Sequence, residues 1–284
     1  MKKIEFINNY QDKVLNIISK NYPISYNTAS KLLRNKDIIV NDERIKENIN
    51  LFLGDKITFF VNEKDMIIYT PQIEYEDENI IIAFKPRGIE SEGNGSFQTL
   101  LQNALNINLY AVHRLDRNTN GLIIFAKNTE SEKTLINGFK YDKIEKYYLA
   151  EVTGKIQAKE KTLTNYLVKD STKSLVKIYN NEVKNSKKII IKYKVIKSTP
   201  SSHLLEIELH GGKTHQIRAQ LAFNNLPIIG DDKYGDTNIN KKFGKKRQML
   251  TCYKIVLHLD DNLSYLNNKD IVLSNCKDKL FVVN

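Results

Sequence analysis

The sequence HRLDRNTNGLIIFA, residues 113–126, decides the fold of this chain and points to its chemistry. Asp116 lies between Arg114 and Arg117, and an apolar, strand-like run follows at 122–126. Because positive neighbours favour the ionised form of a carboxyl group, we expect Asp116 to stay charged. An ionised aspartate just ahead of a buried strand can act as a nucleophile, a general base or an electrostatic stabiliser.

A purely structural role for the same carboxylate is the alternative that this stretch leaves open. Asp116 could cap a turn together with Thr119 and Asn120, and structural ion networks also contain perturbed carboxylates. The local sequence alone does not separate the two interpretations. The rest of the chain therefore has to decide between them.

Three further segments accompany residues 113–121 in a fixed order along the chain. They read YEDENIIIAFKPRGI at 75–89, KYYLAEVTG at 146–154 and LHGGKTHQIRAQLAFNNLPIIGDDKYG at 209–235. Together the four motifs resemble those of the RluA-type RNA pseudouridine synthases, and MLTCYKIVLHL extends the resemblance to Leu259. The combination of four ordered motifs is far more specific than any one of them.

The resemblance implies an isomerase that breaks the glycosidic bond of uridine, turns the base and rejoins it to the sugar through carbon. This reaction needs no metal, redox cofactor or ATP, so we expect no cofactor. Asp116 is then the essential catalytic residue, and Arg218 is the arginine that pairs with it. Tyr148 aligns with the tyrosine that stacks on the target base and whose hydroxyl could take part in proton transfer at ring carbon five.

Base flipping is a second consequence of the resemblance. A uridine inside folded RNA is out of reach of a side chain until it is extruded. Arg114 would enter the space that the base leaves, where a planar cation can stack on its neighbours. Lys213 would contact RNA where the family usually has arginine, keeping the charge but not the bidentate fork. Asn120 stands where the family usually has serine, a change that leaves Asp116 untouched.

Residues 10–62 predict a small α+β unit in front of these motifs. Apolar residues at helical spacing indicate two short helices, the second starting near Ser25 or Asn27, and two strands follow at 38–40 and 56–60. The order resembles the S-four-type RNA-binding domain. That resemblance implies that the basic residues Lys31, Arg34 and Lys36 lie against RNA phosphates.

A larger domain is predicted at 74–284, after a linker at 63–73. Short strand-like runs at 80–84, 122–126, 147–152, 189–195 and 204–209 alternate with helical sequence at 130–139 and 216–223. Such a mixture predicts an α+β fold built on a mixed, largely antiparallel sheet, as in the pseudouridine synthases.

Composition narrows the class of protein further. The 284 residues carry 44 Lys plus Arg against 33 Asp plus Glu, a net charge of +11 that attracts polyanions such as RNA. Basic residues are densest at 184–197 and 241–247. Two cysteines support neither a disulfide framework nor a CxxC zinc site, and no apolar run is long enough to cross a membrane. We expect a monomeric cytoplasmic protein.

Structured RNA is the expected partner, and the two-domain architecture favours large-subunit ribosomal RNA over tRNA. A second hypothesis is a non-catalytic RNA-binding or ribosome-assembly factor with a vestigial pocket. A third is a metal-dependent hydrolase that would use His113, His215 and Asp231, although no HExxH-like or CxxC-like ligand spacing is present.

Overall fold

A computed structural model describes residues 1–22, 24–62, 65, 70–93, 95–170 and 175–274. Most of the predicted linker at 63–73 and one of the two cysteines, Cys276, lie outside the described residues. Contacts divide the chain into two compact units, Met1–Pro71 with Glu90–Leu109 and Gln72–Ile89 with Tyr110–Asn284. The domain boundaries read from the sequence, 10–62 and 74–284, remain a prediction. The two compact units differ from them in one respect, because residues 90–109 belong to the unit of the N-terminal residues.

The first unit contains six strands and three helices among its described residues. They are β1 (Lys2–Ile7), β2 (Asp12–Lys13), α1 (Val14–Asn21), α2 (Tyr26–Arg34), β3 (Ile38–Val40), β4 (Glu43–Arg44), β5 (Asn50–Leu51), β6 (Lys56–Val61) and α3 (Phe97–Leu105). Four strands form a sheet in the order β1-β6-β3-β4, and β2 pairs with β5.

The sequence of this unit explains its helices and core. Ser25 caps α2 by accepting a hydrogen bond from the Thr28 backbone N–H at 3.0 Å. Apolar side chains of both helices pack with Ile38 and Phe59, which are fully buried. Helix α3 joins the same unit, where the Asn103 side chain donates a hydrogen bond to the Lys20 carbonyl. Strand β1 was not predicted.

The second unit is built around one large sheet. Its strands are β7 (Ile73–Glu76), β8 (Ile80–Lys85), β9 (Tyr110–Ala111), β10 (Asn120–Ala126), β11 (Ile144–Val152), β12 (Glu160–Asp170), β13 (Leu175–Tyr179), β14 (Lys187–Ser198), β15 (His203–His210), β16 (Leu250–Leu257) and β17 (Lys269–Val272). Its helices are α4 (Thr129–Lys140), α5 (Gln216–Phe223), α6 (Thr237–Lys242) and the 3-10 helix Asp261–Leu266. No helix among the described residues is long and apolar enough to cross a membrane.

The strand order is β13-β12-β14-β15-β11-β16-β10-β8-β7, with β9 paired to β10 and β17 to β16. Strands β10 and β16 run parallel, and the other described pairs are antiparallel. The predicted α+β fold with a mixed, largely antiparallel sheet is therefore confirmed. Every residue of β10 is buried, as its apolar sequence requires.

Gly121 allows the parallel strands to meet. Its φ is +120°, and a Cβ at this position would lie 2.1 Å from the Cys252 carbonyl oxygen. No other residue fits so close an approach. The glycine that ends the aspartate motif thus joins the start of β10 to β16, which fixes the loop carrying Asp116 against the centre of the sheet.

Candidate active site

Asp116 and Arg218 meet although 102 residues separate them in sequence. Asp116 lies in the turn before β10, where its carbonyl accepts a hydrogen bond from the Thr119 backbone N–H at 2.9 Å. Arg218 projects from α5, and its Nη1 lies 3.0 Å from Asp116 Oδ2. The backbone of Asp116 therefore closes the turn, whereas the hydrogen bond described for its carboxylate goes to Arg218 and not to Thr119 or Asn120.

A second carboxylate holds Arg218 in place. Asp231 accepts from Nε at 2.7 Å and from Nη2 at 2.9 Å, a bidentate pair in which both side chains are buried. Burial raises the pKa of Asp231, but the hydrogen bonds and charge of Arg218 outweigh it and hold the pKa below its ordinary value. The arginine thus stays charged and its orientation is fixed.

His215 borders the same carboxylate from the N-terminal end of α5. Its Nε2 lies 4.0 Å from Asp116 Oδ2, and its Nδ1 lies 2.9 Å from the Tyr234 hydroxyl. Burial lowers the pKa of His215, with the Arg218 and Lys233 charges acting in the same direction and Asp116 opposing them. The imidazole is therefore neutral around pH 7 and shapes the wall beside Asp116.

Tyr148 comes from β11, which runs beside β16. Alternation along the strand buries Tyr148 on the site face and turns Tyr147 to the opposite face. Tyr148 stands opposite Cys252 in the pairing of β11 with β16. Burial raises the pKa of the Tyr148 hydroxyl well above its ordinary value, so the phenol remains neutral and can donate a proton.

One cavity of about 580 Å³ is lined by Asp116, Tyr148, His215 and Arg218. Its volume lies in the range of small-molecule sites. The structure brings together five of the predicted site residues here: Asp116, Tyr148, Arg218, Arg114 and Lys213. Arg114 and Lys213 are exposed at its rim. The lining carries more cationic side chains than its two carboxylates, Asp116 and Asp142, and the cavity can accept a ribose and a uracil ring.

The remaining three predicted RNA contacts belong to the first unit. Lys31 and Arg34 are exposed on α2, and Lys36 is exposed just beyond its end with a left-handed φ of 62°. Their exposure is compatible with phosphate contacts. Their role in binding RNA remains a prediction.

Lys146 belongs to the site, although the sequence analysis did not identify it as a site residue. It lies two residues before Tyr148 on the same strand face, is 7% exposed, and donates a hydrogen bond from Nζ to the Gly211 carbonyl. Its Nζ also lies 5.2 Å from the centroid of the Phe139 ring. Burial lowers the pKa of Lys146. The available signal was the two-residue spacing that places both side chains on one strand face.

Lys85, in the first of the four motifs, contacts the loop that carries Asp116, a contact that the sequence did not predict. The side chain is fully buried, and Nζ donates to the Ile89 carbonyl at 2.8 Å and the Arg117 carbonyl at 3.3 Å. The ammonium group thereby fastens the residue that follows Asp116 to the end of β8. A buried lysine satisfied by carbonyl groups is not recognisable from a Lys-Pro-x-Gly sequence.

His113 is engaged by the backbone rather than available as a ligand. Its Nε2 accepts a hydrogen bond from the Ile124 N–H at 2.9 Å. Burial, with a contribution from Lys146, lowers the pKa of His113 to about 3. Asp231 is already paired with Arg218, and the described part of the chain holds no group of three His, Cys, Asp or Glu residues suited to a metal. The donors named for a metal-dependent hydrolase are thus otherwise engaged.

Residues 79–223, half of the chain, match the family of RNA pseudouridylate synthases. The matched region contains Asp116, Tyr148 and Arg218. The chain belongs to the RNA pseudouridylate synthase family. This finding confirms the family and the isomerase class that the four motifs predicted.

Relatives and solved structures agree with the family match. The chain is 32% identical to ribosomal large subunit pseudouridine synthase C of Rickettsia bellii over 77% of its length and 81% of the relative's. It is 31% identical to an uncharacterized RNA pseudouridine synthase of Mycoplasma capricolum over 92% of both chains. The structure of human RNA pseudouridylate synthase domain containing 1 shares the fold, with a TM-score of 0.59 and 23% identity over 67% of this chain and 80% of the human one.

Proposed function

We propose that this pseudouridine synthase isomerises uridines in large-subunit ribosomal RNA and that Asp116 is its catalytic carboxylate. The observation that carries the proposal is the Asp116–Arg218 pair, 3.0 Å apart in the wall of the cavity. Family membership supplies the reaction, and this pair supplies an ionised carboxylate at the place where a flipped nucleoside would bind.

The geometry leaves half of the carboxylate available for chemistry. Arg218 donates a hydrogen bond to Oδ2 of Asp116, whereas Oδ1 has no hydrogen-bond partner among the described residues. The Asp116 side chain is 21% exposed, so it can reach a ribose or a base that enters the cavity. A charged, oriented and partly exposed carboxylate is suited to attack or to proton abstraction at the sugar.

Isomerisation requires one bond to break and another to form on the same ribose carbon. The bond from C1′ to N1 is cleaved, the ring turns, and C1′ is joined to C5; C5 then loses its proton and N1 gains one. Asp116 acts at the cleavage step, as nucleophile or base. Tyr148 stacks on the uracil ring, and its neutral hydroxyl takes part in the transfer of the C5 proton.

Access to the uridine requires base flipping, which costs a few kcal/mol. Arg114 at the rim of the cavity supports this step, because an arginine can stack in place of the extruded base. Lys213, also at the rim, can contact a phosphate. An S-four-type domain at the N-terminal residues would add phosphate contacts through Lys31, Arg34 and Lys36.

The choice of ribosomal RNA is supported by the names of the relatives, several of which are ribosomal large subunit pseudouridine synthases C. The net charge of +11 supports a polyanionic substrate in general. A tRNA substrate and a non-catalytic assembly role are the alternatives. Action as a cytoplasmic monomer is part of the same proposal.

Pseudouridine mapping of total RNA tests the proposal directly. Cells lacking the protein are compared with cells rescued by the wild type or by Asp116→Asn, each expressed at the same level. We expect specific sites in large-subunit RNA to vanish on deletion and to return only with the wild type. Sites restored by Asp116→Asn would overturn the role of that residue, sites in tRNA would overturn the substrate, and no lost site would favour the assembly-factor hypothesis.

A further inference from the structure

Three arginines gather around Gly88, beside the loop that carries Asp116. Arg117 Nε donates to the Gly88 carbonyl at 3.1 Å, and Arg247 Nη1 donates to the Arg87 carbonyl at 3.3 Å. The Gly88 N–H in turn donates to the Arg117 carbonyl at 2.8 Å. We name Arg87, Arg117 and Arg247 the arginine cluster. Residues far apart in sequence are thus held together by hydrogen bonds that end on backbone carbonyls.

Gly88 makes room for this arrangement. A Cβ at this position would lie 2.9 Å from Arg247 Nη1, and the φ of +88° is one that glycine adopts without strain. The guanidinium group of Arg247 therefore rests directly on the backbone of the turn after β8. This close approach and the hydrogen bond to the Arg87 carbonyl hold the exposed side chain there.

The arginine cluster lacks a counter-charge. Within the described ranges, none of the three arginines forms an ion pair with a carboxylate, whereas Arg218 has three carboxylate partners. The described atoms also offer Arg87 Nε no hydrogen-bond partner, although it is buried. Burial lowers the pKa of Arg87, and the charge of Arg247 lowers it further. Like charges held together without an anion are unfavourable, so the arrangement indicates a negatively charged ligand.

We propose that the arginine cluster binds a phosphodiester of the substrate RNA next to the target uridine. The proposal rests on the function proposed above, since Arg117 directly follows Asp116 and the ligand must belong to the strand that enters the cavity. Guanidinium groups match the paired oxygens of a phosphate better than ammonium groups do. Lys245 and Lys246 precede Arg247 in the sequence and add positive charge to the same segment.

The cluster also differs from a general basic surface in its expected specificity. One phosphate at a fixed distance from Asp116 would set the register of the RNA relative to the catalytic carboxylate. If the surface were only a diffuse positive face, removing any one of its lysines would weaken RNA binding by a similar amount. The experiment therefore has to compare the cluster with an equally charged position elsewhere in the same unit.

The test measures RNA affinity of the full-length protein over a range of salt, for the wild type, Arg247→Gln, Arg247→Lys and the control Lys155→Gln. Arg247 and Lys155 are both exposed, so neither change removes core packing. We expect Arg247→Gln to weaken binding roughly tenfold and to reduce the salt slope by about one. Arg247→Lys should keep the slope and lose part of the affinity, and Lys155→Gln should have the smallest effect on affinity.

Neutral methylphosphonates, placed one at a time at the phosphates around the modified uridine, locate the contact. One substitution should weaken wild-type binding and have no further effect on Arg247→Gln. Equal effects in both proteins, or equal losses for Arg247→Gln and Lys155→Gln, would overturn the proposal. Pseudouridine formation by the wild type on the unmodified RNA is measured in parallel, so that failure of the proposed function is recognised separately.

Discussion

Arg218 contacts Asp231 through two nitrogens, Nε and Nη2, at 2.7 and 2.9 Å, and contacts Asp116 through the third, Nη1, at 3.0 Å. A planar guanidinium held on two sides cannot rotate without breaking both hydrogen bonds. The buried Asp231 therefore sets the direction in which Nη1 points. It acts as a positioning residue for a carboxylate that it does not touch.

We expect Asp231→Asn to lower kcat at least roughly tenfold with a smaller change in KM, because Arg218 loses its fixed orientation. Removing one partner of a buried ion pair should also lower the free energy of unfolding by about 3 kcal/mol. The matched control is Asp232→Asn, because Asp232 lies 3.4 Å from Nη2 but is 60% exposed. Steady-state kinetics and denaturant unfolding check both effects. Similar kcat values for the two variants would refute the positioning role.

Tyr148→Phe separates the hydroxyl from the ring. The ring should still stack on uracil, so we expect RNA affinity to change little, whereas loss of proton transfer should lower kcat roughly a hundredfold. Tyr147→Phe is the control, because Tyr147 lies one residue away on the opposite face and bonds Glu145. Single-turnover rates at saturating enzyme report the chemical step. A Tyr148→Phe enzyme as fast as wild type would limit Tyr148 to stacking.

The fold and the residues of the central site could be predicted because short motifs carry them, and the family resemblance supplied the long-range pairing of Asp116 with Arg218. The apolar run after Gly121 predicts a buried strand, and the four motifs place Asp116, Tyr148 and Arg218 in one family of sites. Contacts formed by distant segments could not be read in this way. Strand β1 pairs with β6 from a distant part of the chain, and no local pattern specifies that partner.

The surroundings of the site show the same limit. Lys85 is fully buried because carbonyl groups from two turns surround its ammonium group, and only the tertiary structure brings those turns together. The arginine cluster likewise joins residues from three separate parts of the chain. A sequence predicts that a residue is charged, whereas the fold decides whether that charge has a partner.

Lys31, Arg34 and Lys36, on α2 and just beyond its end, allow the proposed RNA-binding role of the S-four-type domain to be tested without truncation. Deleting the N-terminal residues would remove the partner of 90–109, so charge substitutions are the cleaner experiment. We expect the triple variant Lys31→Gln, Arg34→Gln and Lys36→Gln to reduce the salt slope of RNA binding by about one for each phosphate that the variant no longer binds. Circular dichroism should be unchanged. A wild-type slope would mean that these residues do not contact RNA.

His113 should make the stability of the protein depend on pH. Its pKa is about 3 in the folded protein and 6.5 ordinarily, so the unfolded chain binds one more proton than the folded one between these values. The stabilisation that the neutral His113 provides is therefore fully present above pH 6.5 and is lost as the pH falls towards 3. From pH 7 to pH 5 the loss from this group is about 2 kcal/mol.

We expect His113→Gln to remove that part of the pH dependence, because glutamine can accept the Ile124 hydrogen bond but does not titrate. Denaturant unfolding at pH 7 and pH 5 measures the difference between the two proteins. Wild type should lose about 2 kcal/mol more than the variant over this interval, even if the variant is less stable at pH 7. If the free energy of unfolding fell equally in both proteins, burial would not hold His113 neutral in the folded protein, and the prediction would be wrong.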